Sequence, residues 1–207
     1  MTTLPTFLRD ERGASAAEFA MVLPLFLLLL FGIIDAGRYM WEYNRAEKAT
    51  QMGVRYAVVT DMVLGANFAN YSFSTGGGIP QGSAVPTTAF DSATCTSTTC
   101  SCSGGSVCSI VARDGTAFSN IVNRMALMYP LIQPANVSVE YRNVGLGFAG
   151  DPNGPDVAPL VTVQLQGVTF HPITCMLFAC SFNLPVSRAA LTLEDGSNNG
   201  LNPPIAN

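Results

Sequence analysis

The sequence predicts an α+β fold in which a long N-terminal helix, half membrane-spanning and half amphipathic, packs on a small antiparallel sheet and is followed by a long disulfide-tied loop insertion. Three observations carry this expectation. Ala14 to Ile34 is an apolar run broken by one carboxylate, Glu18. A helical apolar stripe continues beyond that run, and short alternating segments between Gly- and Pro-rich turns fill the C-terminal half.

The uncharged stretch from Phe19 to Ile34 makes roughly 24 Å of helix at about 1.5 Å per residue, short of the roughly 30 Å hydrocarbon core. Starting at Ala14 lengthens the helix to about 31 Å, which spans the core and places Glu18 at or inside its edge. A carboxylate there is costly unless something pairs with it. Pro24 interrupts the run and removes one backbone donor, so neighbouring helices or local rewinding must satisfy the freed carbonyl. Residues 1–13 form a short polar leader, and Ile33 to Arg38 offers no small-residue site for removal of the whole run. Arg9 and Arg12 before the run are balanced by Arg38, Arg45 and Lys48 after it, so charge asymmetry does not set the orientation.

Residues 35–63 read as an amphipathic extension of the same helix. Met40, Trp41, Tyr43, Ala46, Ala49, Met52, Tyr56, Val59 and Met62 form the apolar stripe, and Arg38, Glu42, Arg45, Glu47, Lys48 and Arg55 occupy the rest. A helix from Ala14 to about Met62 would be roughly 73 Å long. Tyr39, Trp41 and Tyr43, just past the span, suit an interfacial aromatic belt and equally suit core contacts with the globular part.

Residues 64–112 change character. The stretch is rich in Gly, Ser, Thr and Ala, carries Asp91 as its single charged residue, and includes Gly76-Gly77-Gly78. It reads as a surface insertion with little material for a packed core. Cys95, Cys100, Cys102 and Cys108 lie within it, and Cys175 and Cys180 lie in a later loop. An even number of cysteines clustered in loops points to disulfide stapling in an oxidising compartment. Connectivity is open, with Cys175 to Cys180 the simplest local pair. The zinc alternative lacks the C-x2-C knuckle spacing, and the single histidine, His171, precedes a proline.

Residues 113–195 read as the globular α+β part. Asp114 or Thr116 can cap a helix running to about Met128, with Phe118, Ile121, Val122, Met125 and Met128 or Tyr129 on one face. Strands are expected at Val137–Arg142, within Val157–Phe170 around Leu160–Leu165, and at Leu184–Leu193, giving three or four strands in all. The tail, residues 196–207, is polar, rich in Asn and Pro, and expected to be loose.

Little in the composition supports catalysis. Charged residues make up 12% of the chain, and no GxSxG, HExxH or P-loop string occurs. Gly145-Leu-Gly147-Phe-Ala-Gly150 satisfies GxGxxG but runs into Asp-Pro-Asn-Gly-Pro, which cannot open a helix. A net charge of -4 and a pI near 4.8 disfavour nucleic acid as a partner. No catalytic residue, cofactor or metal is assigned.

Gly13-Ala-Ser-Ala-Ala-Glu18-Phe19, followed by the apolar run, resembles the cleavage site of type IV prepilins, where a membrane aspartyl peptidase cuts after the glycine. The longer stretch RGASAAEFAMVLPLFLLLLFGIIDAGR resembles the TadE-like family of minor pilins or pseudopilins of the tight-adherence (Flp) pilus system, over about residues 9–60. The resemblance implies a pilin-like fold, processing between Gly13 and Ala14, and subunit register set by Glu18, with Phe19 and Pro24 in the assembly helix. It implies as partners a prepilin peptidase, other pilin-like subunits with their assembly machinery, and membrane lipid. The implied location is a bacterial inner membrane, crossed once, with the C-terminal part in the periplasm or on an extracellular pilus. A permanently anchored extracytoplasmic binding or adhesion module, never cleaved, is the alternative that the same residues allow.

Overall fold

The computed structural model describes residues 14–152, 155–175 and 180–194. The leader 1–13, including Gly13, and the tail 196–207 lie outside the described residues. The chain divides into two compact units, the first made of residues 1–41 and 169–182 and the second of residues 42–168 and 183–207.

One helix, α1 (Ala14–Ala57), contributes to both. It runs through Pro24 and stops short of the Met62 expected from the stripe. The reason lies in the residues just beyond its end: Val58, Met62, Val63 and Leu64 are all buried, and no single helix face could bury that run. The chain turns instead, and the Val63 amide donates to the buried Tyr141 hydroxyl at 3.0 Å.

The second unit contains a five-stranded antiparallel sheet. Its strands are β1 (Ser92–Cys95), β2 (Cys100–Ser103), β3 (Val137–Arg142), β4 (Leu160–Leu165) and β7 (Ser187–Thr192), in the order β2-β1-β3-β4-β7. The alternation in β3 and β4 puts Val137, Val139, Tyr141, Val161, Val163 and Leu165 into the core. Register pairs Val139 with Val163 and Val163 with Ala189. A short pair, β5 (Thr169–Phe170) and β6 (Phe182–Asn183), forms a separate two-stranded sheet.

Helix α3 (Gly115–Ala126) begins as its sequence dictates, with the Asp114 carboxylate accepting from the Thr116 and Ala117 amides. It buries Phe118, Ile121, Val122 and Met125, and ends two residues before Met128, which is partly exposed, while Tyr129 is buried. The C-terminal part of α1 packs on this layer and on the sheet at Gly53, and buries Ala46, Ala49, Val54 and Ala57. A Cβ on Gly53 would meet Met125 and Val163 at 2.7 and 3.3 Å, so the missing side chain permits this approach. Glu42 and Arg45 then grip the end of α3: Tyr129 donates to Glu42 at 3.2 Å and Arg45 to the Met128 carbonyl at 3.0 Å.

The insertion corrects the sequence reading most. Residues 64–112 supply β1, β2 and the short helix α2 (Ala66–Ala69), and they bury Phe68, Phe73, Val85, Phe90, Ala93, Cys95 and Val107. Two buried polar side chains tie the segment down. The Asn143 amide donates to the Val85 and Phe90 carbonyls, and the Asp156 carboxylate accepts from the Phe73 amide. Such fixed partners make this stretch part of the core.

Candidate functional site

The first turns of α1 present the most unusual surface. Between Ser15 and Leu30 every side chain is exposed, Met21 at 79% and Leu25 at 71% among them. Apolar exposure on this scale needs a cover. By length and composition this helix can cross a membrane, and it fits a single-pass anchor.

Sequence-predicted site residues fall along it in order. Ala14 is the first helical residue, and Phe19 is 65% exposed. Glu18 is an exposed carboxylate on this apolar surface and has no hydrogen bond or ion pair among the described residues. Pro24 lies inside the helix, where it cannot donate to the Ala20 carbonyl. Gly13, the other half of the expected processing site, is outside the described residues.

The cysteines form three local bridges: Cys95 to Cys100, Cys102 to Cys108, and Cys175 to Cys180. Cys95 and Cys100 stand opposite each other across β1 and β2, so the first bridge fastens that hairpin. His171 is exposed, and among the described residues no cluster of three or more His, Cys, Asp or Glu could hold a metal. Gly145, Gly147 and Gly150 all have positive φ, which makes the GxGxxG string a chain of turns leading to no helix.

A residue that sequence reasoning passed over sits where the apolar run ends. Asp35 is buried to 7% exposure, and its carboxylate accepts from the Ile173 amide, the Thr174 amide and the Thr174 hydroxyl, each at 2.8 Å. Arg38, one turn on, donates to it at 3.3 Å and lies over the Phe170 ring, against which Tyr39 also packs edge-on at 5.4 Å. Burial would raise the Asp35 pKa, but the donors from Thr174 and Ile173, with the Arg38 charge, outweigh it and hold the carboxyl below its ordinary value. The signal was a lone acid directly after an apolar run; its partners, far along the chain, gave none.

With this geometry in place, residues 13–55 match the protein-family model described as TadE-like protein. The matched segment covers Ala14, Glu18, Phe19, Pro24 and Asp35, and lies within residues 9–60, the stretch that carries the resemblance. This family is structural, and its proteins are associated with tight-adherence pili. No curated protein and no solved structure matches the chain.

Proposed function

We propose that this chain is a minor pilin-like or pseudopilin-like subunit of a tight-adherence pilus, matured by hydrolysis of the Gly13–Ala14 peptide bond and assembled through the apolar face of α1. The observation that carries the reading is Glu18: a carboxylate without a partner among the described residues, on a helix segment exposed all round, inside the TadE-like match. Hydrolysis leaves a carboxylate on Gly13 and an amine on Ala14. In a neighbouring subunit that cationic amine is the natural mate for Glu18, because opposite charges in low dielectric attract far more strongly than in water, while an unmated charge there is costly. One such pair per subunit sets axial register. The chain itself contributes structure and no catalysis; the peptidase that cuts it is a partner.

Two disulfides, Cys95 to Cys100 and Cys102 to Cys108, support a location for the second unit outside the cytoplasm. The size of that unit suits a minor component, at a tip or in an initiating complex, better than a bulk filament subunit. The test is Glu18→Gln in the native host. Membrane insertion is retained and co-isolation with partner pilin-like subunits falls; co-isolation at the unsubstituted level removes the register role.

A further inference from the structure

The span ends at Ile34, and the next residue holds a distant piece of chain beside it. From Pro172 to Phe182 no side chain is charged. Two described apolar side chains of this piece face outward, Ile173 at 37% and Phe182 at 55% exposure. Its first donors, by contrast, already have partners. The Ile173 and Thr174 amides and the Thr174 hydroxyl donate to Asp35, and the Cys175 amide donates to the Pro172 carbonyl at 3.2 Å. Non-helical backbone at membrane depth is tolerated only when its donors find partners within the protein, a condition met by the Ile173, Thr174 and Cys175 amides. Ile33 and Ile34, exposed on α1 immediately before Asp35, continue the apolar surface of the span to the level of this clamp.

We propose that Ile173 and Phe182, held by Asp35 and the Cys175–Cys180 bridge, form a second membrane contact, seated in the interfacial layer of the leaflet from which α1 emerges. The occupant is lipid because the surface is continuous with a segment that spans lipid, carries no charge, and has its successive amides capped. Such a contact makes the anchor two-legged and fixes rotation of α1 about its axis, which a smooth helix alone leaves free. The inference rests on residues 14–34 spanning the bilayer.

The experiment uses the full chain with its single tryptophan removed, Trp41→Phe, and one new tryptophan at a time: Ile173→Trp, Phe182→Trp, or Leu29→Trp within the span. Each is reconstituted into phosphatidylethanolamine–phosphatidylglycerol vesicles containing lipids brominated either near the headgroup or near the chain end. Both loop positions are surface-exposed, and an intact Cys175–Cys180 bridge, read by thiol counting, verifies the fold. The expected result is a blue-shifted emission at positions 173 and 182, lost more to the headgroup-proximal bromines than to the deep ones, with Leu29→Trp lost more to the deep ones. Emission at 173 and 182 that ignores both lipids while Leu29→Trp is quenched overturns the second contact alone. In that case quenching by aqueous iodide identifies a water-facing loop, and shielding from iodide identifies a protein neighbour. Absence of quenching at position 29 overturns the span and the second contact together.

Discussion

Asp35 and Thr174 are 139 residues apart and are joined by two hydrogen bonds of 2.8 Å, from the amide and the hydroxyl of Thr174 to the same carboxylate oxygen. The link fastens the base of the apolar helix to the loop closed by Cys175 and Cys180, so the helix and that loop form one unit. Replacing Asp35 with alanine leaves part-buried donors on Ile173 and Thr174 without their acceptor, which removes the link and adds part of the cost of unsatisfied donors. The expected outcome is faster amide exchange at Ile173 and Thr174, with β3 and β4 unaffected. Unchanged protection at 173 and 174 would dismiss the clamp.

Acid should release the same link. Burial pushes the Asp35 pKa up, yet the Thr174 and Ile173 donors and Arg38 bring it below 3.8. A carboxylate with a depressed native pKa binds protons more weakly when folded, so its stabilisation is complete above 3.8 and fades as pH falls through the lower native value. Exchange at Ile173 and Thr174 measured from neutral pH downward, and corrected for intrinsic rates, should stay flat down to about 3.8, rise below it and level off beneath the native value.

Two glycines of α1 predict opposite signs for one substitution. Nothing lies within 4 Å of a Cβ placed on Gly37, so Gly37→Ala gains helix propensity, up to about 1 kcal/mol. At Gly53 the same methyl meets buried Met125 and Val163, and overpacking of about 1–3 kcal/mol outweighs that gain. Urea unfolding followed on the second unit should show Gly53→Ala destabilised. Stabilisation at Gly53 would mean that α1 does not approach α3 and β4 closely.

The bridge between Cys95 and Cys100 closes a short hairpin beside the core, with Cys95 fully buried. Chain-entropy reasoning gives a bridge of this span about 2 kcal/mol. Protein isolated without reductant should therefore show no free thiol, and the paired substitution Cys95→Ala with Cys100→Ala should lower stability by about that amount. Six titratable thiols before reduction would contradict the stapled fold.

Regular periodicity explains what could be read in advance. The Phe118–Met125 face of α3 and the alternation in β3 and β4 each bury one face, so residue spacing reports the element, whereas the stripe expected of α1 holds only in part, with Ala46 and Ala49 buried but Met40, Trp41 and Val59 exposed. Residues 64–112 have no such period: Phe68, Phe73, Val85, Phe90 and Val107 enter the core singly from short helices and turns, and β1 and β2 consist of small and polar residues around cysteines. Hydrophobic pattern cannot announce a segment whose place is fixed by Asn143, Asp156 and bridges. Within the site, Glu18 stood out because an acid in an apolar run is conspicuous, whereas the role of Asp35 depends on a partner supplied by folding.

Whether α1 is freed from its leader, so that a new amine can meet Glu18, is read from the intact mass of the protein purified from its native membrane. The expected chain begins at Ala14, and stays uncut when Gly13→Phe blocks the peptidase. A native protein that still carries the residues before Ala14 would contradict it and leave the helix as a permanent tether.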